Sequence, residues 1–439
     1  MEISKLPLGG IKRPNKNMKR IVASVGLAAL GAASIESLHA QAVGADKPWS
    51  VSASLRGFYD DNVNTAPSGE IDTFGFEVNP SFSFGVQNDQ TTASLTYAYG
   101  FIWYDKRPDP TRDKHYDQTH TIAARLVHAF TERTSITVSD SFVIGQEPDT
   151  IRTGDFYSSV QRISGQNIRN YGAISINHQF TEKIGIEAGY ANSFYDYDST
   201  LEETFPNISN SGLLDRIEQS IHLDARWTFQ PTTVGFVGYM YSFSDYTGDE
   251  PIGVLGTGDI VYSKDRNSRS HYGYVGVEHT FLPELMGSVR AGARATDYYN
   301  SLEDQSDIGP YASASLRYAY AQGSHVEAGV SHDIHATDMF SVSETSITTD
   351  SESTSAYISV VHRIFPDLTG NASFTFQNST FNGGDFDGIS EQFYLFNVGL
   401  EYHINRHFST SVSYNFDHLE SDFRTYNRNR VYAGVNFVY

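Results

Sequence analysis

The 439-residue chain has no cysteine, only 3 Trp and 5 Met, and no long hydrophobic run. Without cysteine there are no disulfides and no lipid-modified N-terminal Cys, which excludes a small disulfide-stapled secreted domain. The longest nearly uncharged apolar stretch, Ile21 to Ser34, falls short of the roughly 20 residues that a spanning helix needs. A helical membrane protein is therefore excluded. Basic residues are also scarce: 31 Lys and Arg face 52 Asp and Glu, a formal charge of −21 that argues against nucleic acid as a partner.

What the chain has in quantity is 28 Tyr, 28 Phe and 36 Gly, with a mean hydropathy of −0.38. That mixture is rich in strand formers and poor in continuous apolar segments. Composition alone leaves both a soluble Tyr-rich β protein and a membrane barrel open. The N-terminus narrows the choice. Met18-Lys19-Arg20 is a basic start, Ile21 to Ala33 a short apolar stretch, and Ala40-Gln41-Ala42 an A-x-A cleavage pattern. Residues 1–42 read as an N-terminal extension plus a cleaved signal peptide, and residues 43–439 as the mature chain. Removing 1–42 takes away six basic and two acidic residues, which brings the charge to −25.

From about Trp49 onward the sequence keeps one rhythm. Segments of eleven to fifteen residues alternate apolar with small or polar positions, the period-two pattern of strands with two unlike faces. Ala93, Leu95, Tyr97, Tyr99, Phe101 and Trp103 share one face of a strand, with Ser94, Thr96, Ala98 and Gly100 on the other. Ile217, Ile221, Leu223, Ala225, Trp227 and Phe229 oppose Glu218, Ser220, His222, Asp224 and Arg226.

The connections alternate short with long. Short ones lie at Gln87-Asn88-Asp89, Thr131-Glu132-Arg133, Thr181-Glu182-Lys183 and five later places; long ones, such as Ser199 to Leu213, Thr247 to Asn267 and Met339 to Asp350, lie between them. Short periplasmic turns alternating with long extracellular loops are the plan of an outer-membrane barrel. The expected fold is thus all-β: a transmembrane antiparallel up-and-down β-barrel of about 18 strands, with 16 as the alternative. Its first strand is expected at Ser50–Asp60, its twelfth at Gly309–Ala321, its fourteenth at Ser353–Phe365 and its last at Asn429–Tyr439. Phe130, Phe180, Phe229, Phe281 and Phe365 each end a strand before a polar turn, where a ring suits the boundary between lipid and water.

The last strand places Val431, Ala433, Val435, Phe437 and Tyr439 at alternate positions back from the terminus. This resembles the C-terminal signal read by the bacterial barrel-assembly machinery, which more often ends in Phe. With the apolar face turned outward, the interior receives Arg125, Glu187, Glu218, Asp224, Arg226, Arg290, Arg294, Arg317, Glu327, Asp333, Glu401 and Asp417 as candidate pore-lining charges. Arg290 and Arg294, two alternations apart, could form one side of a cationic ladder; the competing expectation is that such charges pair across strands. Asp140 falls on the outward register, which implies a bulge, a different register or a position outside the bilayer.

Enzymatic chemistry finds no footing. The 15 His lie in no motif with nucleophilic or metal-ligand spacing, and no Gly-rich phosphate loop is present. Asp60-Asp61-Asn62 and Asp385-Phe386-Asp387 read as acidic turns rather than calcium loops. No catalytic residue, metal or cofactor is expected.

Phe58-Tyr59-Asp60-Asp61-Asn62-Val63, followed by Asp72-Thr73 and a strand containing Pro80, resembles the opening hairpin of the Putative β-barrel porin 2 family. The resemblance implies an outer-membrane barrel of uncharacterised solute, with some members near exopolysaccharide export genes. The expected function is a porin-like channel for passive diffusion of small hydrophilic solutes or ions in the outer membrane of a Gram-negative bacterium. An outer-membrane component of exopolysaccharide export or assembly is the alternative. Expected partners are outer-membrane lipid and lipopolysaccharide, the assembly machinery, and the solute or polysaccharide; the sequence leaves oligomeric state open. An energy-coupled receptor is disfavoured, because the expected mature chain starts its first strand within ten residues.

Overall fold

The computed structural model describes residues 47–106, 115–146, 166–198, 209, 211–301 and 305–439. The segment read as extension and signal peptide lies outside them. In chain order the strands are β1 (Trp49–Asp60), β2 (Thr73–Gln87), β3 (Thr91–Tyr104), β4 (Tyr116–Thr131), β5 (Thr134–Gly145), β6 (Asn167–Gln179), β7 (Ile184–Tyr197), β8 (Arg216–Gln230), β9 (Thr233–Tyr246), β10 (Pro251–Val254) and β11 (Ile260–Tyr262). Then follow β12 (Ser268–Leu282), β13 (Leu285–Tyr298), β14 (Gln305–Ala321), β15 (Ser324–His335), β16 (Asp350–Phe365), β17 (Leu368–Asn382), β18 (Ser390–His403), β19 (Phe408–Ser421) and β20 (Thr425–Val438).

All but β10 and β11 form one 18-stranded antiparallel sheet in which each strand pairs with its chain neighbours and β9 passes directly to β12. The sheet closes where β1 meets β20, from Ser52 opposite Val438 to Asp60 opposite Arg430. Val51 and Tyr439 exchange backbone hydrogen bonds of 3.0 and 2.8 Å at the end of that seam. Closure leaves no open edge, the condition for a sheet in lipid.

The strand count and alternation agree with the expectation from sequence. Three strands run further toward the long loops than expected: β14 starts at Gln305, β16 at Asp350 and β20 at Thr425. Their added residues are mostly polar and show no apolar alternation; backbone pairing carries them. The β10–β11 hairpin inside the Thr247 to Asn267 loop was not anticipated.

Alternation sorts the two faces. Leu55, Phe82, Leu95, Ile122, Ile221, Trp227, Val237, Val275, Leu400 and Val435, from strands all round the barrel, are exposed on the outer face. An apolar band of this kind is stable only against lipid. At the turn end, a pattern beyond the expected Phe recurs. His128, His178 and His279 each stand two residues before Phe130, Phe180 and Phe281, with ring centroids 4.6, 4.7 and 4.5 Å apart and nearly perpendicular. Each imidazole Nδ1 lies 2.8–2.9 Å from the hydroxyl of the directly opposed Thr91, Thr134 or Thr233. This unit ties one short-turn hairpin to the next at the turn end of the barrel, where an amphipathic ring pair suits a lipid–water boundary.

Asp140 does face outward, and neither a bulge nor a different register explains it. Pairing of β5 with β4 and β6 is continuous through it, and apolar Val138 and Phe142 flank it on the same face. Among the described residues no helix is long and apolar enough to cross a membrane.

Candidate functional site

The inward face carries the chemistry, and its residues come from every strand. The densest region lies on β7, β8, β9, β12, β13 and β14. Alternation turns Glu187, Asp224, Arg226, Glu278 and Arg290 inward, and cross-strand pairing puts Glu187 beside Asp224. Arg226 spans two carboxylates, with Nη1 donating to Glu187 at 2.9 Å and Nη2 to Glu278 at 2.6 Å. Tyr274 donates its hydroxyl to Asp224 at 2.6 Å, and Arg290 lies 3.7 Å from the other oxygen of the same carboxylate.

Aromatic rings hold these cations in place. The Arg290 guanidinium sits 4.5 Å from the Tyr274 ring centre and 5.3 Å from that of Phe236; Arg226 is 5.8 Å from Phe236. Phe236, Met240, Tyr272, Tyr274 and Tyr311 form a buried cluster behind them. Gly238 makes the arrangement possible, since a Cβ at that inward position would collide with the Tyr274 ring and the Asp224 carboxylate.

Further toward the loops, Arg294 is 1% exposed and pairs with Asp307 at 2.6 Å and Asp333 at 3.6 Å. The cationic ladder of Arg290 and Arg294 is therefore not free: both guanidiniums are matched by carboxylates. Removing either partner would strand a buried charge, which is why such sites persist as complete networks.

The remaining inward charges are scattered. Arg317 pairs with Glu327 at 2.6 Å in an exposed setting, and Glu218 with Arg216 at 2.7 Å. Asp417 meets Arg430 at 2.6 Å, and Arg56 meets Glu77. Glu401 accepts only from the Ser409 hydroxyl, at 2.6 Å, and Arg125 has no ion pair among the described residues. From Ser351 to Val361 of β16 and along β17 the inward register is uncharged, with Ser353 and Ser379 hydroxyls 2.8 Å apart and Gln377 donating to Ser379 at 2.8 Å. Sequence alternation thus placed every candidate on the inward side but brought out neither their partners Glu278 and Asp307 nor the aromatic scaffold.

At the loop end, the β9–β12 connection folds over inward residues. Ile252, Leu255 and Val261 pack with Leu213, Leu214 and Ile347 against Tyr195 and Tyr197 of β7. A backbone bond of 3.2 Å joins Gly256 to Ser343 in the β15–β16 loop. Arg266, 1% exposed, donates to the carbonyls of Leu213 at 3.3 Å, Thr337 at 2.7 Å and Thr349 at 3.4 Å. One buried guanidinium so ties three loops together. Asp215, next to this cluster, accepts from the Tyr197 amide at 2.7 Å. Burial nevertheless pushes its carboxyl up to about 7, with nearby Asp196 and Glu250 adding to the rise.

A polar, ion-paired interior within a closed 18-stranded barrel is the setting in which a family match becomes informative. The family described as Putative beta-barrel porin 2 matches residues 50–439. The chain belongs to that family. This barrel-porin chain is also similar to several solved structures. OccAB4 of Acinetobacter baumannii is 13% identical, covering 90% of this chain and 99% of that one, with a TM-score of 0.43. A BenF-like porin from Pseudomonas fluorescens Pf-5 is 10% identical, covering 90% and 100%, with a TM-score of 0.44. The outer membrane protein OpdK of Pseudomonas aeruginosa is 9% identical, covering 89% and 99%, with a TM-score of 0.42. Nothing about this porin's solutes follows from them. No curated protein matches the chain.

Proposed function

We propose that this barrel porin is a passive channel for small hydrophilic solutes or ions in the outer membrane of a Gram-negative bacterium. The observation that carries the reading is the polar inner face of a closed 18-stranded barrel. Barrels of that size leave an aqueous lumen unless loops fill it. The wall of Glu187, Arg226, Glu278, Asp224 and Arg290 holds charges of both signs at fixed positions, which suits the orientation of polar solutes more than the bulk rejection of one ion sign. The tied loops over the mouth narrow entry and set the solute size. Nothing in the comparisons favours polysaccharide export.

On this reading the short turns are periplasmic and the long loops meet lipopolysaccharide outside, with the barrel-assembly machinery as partner during biogenesis. Purified protein in planar bilayers tests the channel: discrete conductance steps in potassium chloride are expected. A bilayer that stays silent at every salt concentration, with folded protein inserted, overturns it.

A further inference from the structure

Four adjacent strands carry a polar residue on the outer face within the apolar band. Asp140 of β5 stands opposite Gly172 of β6, Gly172 opposite Asn192 of β7, and Asn192 opposite Gln219 of β8, all in one pairing row. Asn170, two residues from Gly172, lies on the same face and donates its amide to both Asp140 oxygens at 3.2 and 3.1 Å. Apolar residues resume on the loop side of each: Phe142 and Ile144, Ile168, Phe194, and Ile217. His332 of β15, also followed by an apolar residue, Ile334, is instead bonded on the same face to Thr354 and Glu352, each imidazole nitrogen within 2.7–2.8 Å of its partner. On β16 to β18 Thr354, Asn378 and Gln392 are followed by Glu352, Thr380 and Ser390 and so simply begin the rim.

Lipid tails offer these groups nothing. A carboxylate with a single amide donor keeps lone pairs unmatched, and among the described residues neither the Asn192 nor the Gln219 amide has a hydrogen-bond partner. Polar groups at membrane depth persist where protein covers them. We propose that this face, centred on Asp140, Asn170, Asn192 and Gln219, is the contact surface for a second copy of this chain.

Three features favour a second copy over an unrelated partner. The set is self-complementary, because amides both donate and accept while Asp140 only accepts, so two identical faces can satisfy each other. Gly172 lies between Asp140 and Asn192, and Ala124 stands directly opposite Asp140 on β4; both permit close approach of two barrels there. Closed symmetric assemblies of one chain are also the commonest way a single surface patch is covered.

The absence of native cysteine gives a clean test. Asn192→Cys, Gln219→Cys and, on the far side, Leu400→Cys are expressed singly in intact outer membranes and treated with a bifunctional maleimide. The proposal expects a cross-linked species at twice the chain mass from the first two variants and none from the third. In a second measurement, a fluorophore on each Cys is exposed to brominated lipid. Leu400→Cys should be quenched and Asn192→Cys protected. Absence of cross-links together with equal quenching at both positions overturns the proposal, as does cross-linking of Asn192→Cys to a different protein. Loss of the cross-link when Asp140, Asn170 and Gln219 are all replaced by Leu, with the monomer still folded, supports it.

Discussion

Asp60 grips the guanidinium of Arg428 across the seam of the barrel, with Nε at 2.9 Å and Nη2 at 2.5 Å from one carboxylate oxygen. The two residues are 368 positions apart in sequence, and the Asp60 side chain is almost fully buried. Arg428→Ala leaves that carboxylate without its cation at the first-to-last strand junction. It should cost about 3 kcal/mol of barrel stability. Urea unfolding in lipid vesicles reads the loss, and Asp60→Asn combined with Arg428→Gln should recover part of it. An unchanged unfolding midpoint in Arg428→Ala would show that the contact is idle.

Arg266 is the tie between the three loops over the mouth. Arg266→Ala removes the donor to three buried carbonyls and should weaken loop docking by about 2–3 kcal/mol, while the strands keep their pairing. Single-channel conductance should rise and protease should cut within 247–267, with barrel melting nearly unchanged. Equal conductance in variant and parent would mean that these loops do not narrow the path.

Asp215 makes the same loops sensitive to pH. Its carboxyl is raised from 3.8 to about 7, chiefly by burial, so the docked state prefers the protonated form. The stabilisation is fully present below about pH 4 and is lost as pH rises through about 7. A spin label on Gly256→Cys, paired with one on the barrel wall, should report a docked loop at pH 5 and a wider distance distribution at pH 8. Asp215→Asn should stay docked at both. A distance that ignores pH in the parent chain counts against this assignment.

Tyr439 has two separable roles. Its backbone is bonded to Val51, while its ring lies exposed on the outer face, 5.9 Å from Trp49 and 5.6 Å from His407. Tyr439→Ala keeps the backbone pair and should lower refolded stability by no more than about 1 kcal/mol. If the ring is read during assembly, the amount of barrel in the outer membrane should fall far more than that change explains. Quantitative blotting of membrane fractions against refolding in detergent separates the two.

The alternation of Leu95, Tyr97 and Phe101 with Ser94 and Thr96 was enough to establish strands with an apolar and a polar face. The unequal connections and the terminal Val431 to Tyr439 pattern were enough to make them a barrel. These are local, period-two signals, and a one-residue slip would turn every side chain to the wrong face, so they survive without any tertiary information. Which charges meet is a different kind of fact. Arg226 chooses Glu187 and Glu278 from 39 and 52 positions away, because strand stagger and the missing side chain at Gly238 bring Tyr274, Asp224 and Arg290 into one layer. Neither the β10–β11 hairpin nor the Arg266 tie has a periodic signature; both exist because loops can bury Ile252 and Val261 only against one another. The outward Asp140 shows both sides of this division. Its register was plain in the chain, but only continuous pairing with β4 and β6 excluded a bulge, and so turned an anomaly into a surface that needs a partner.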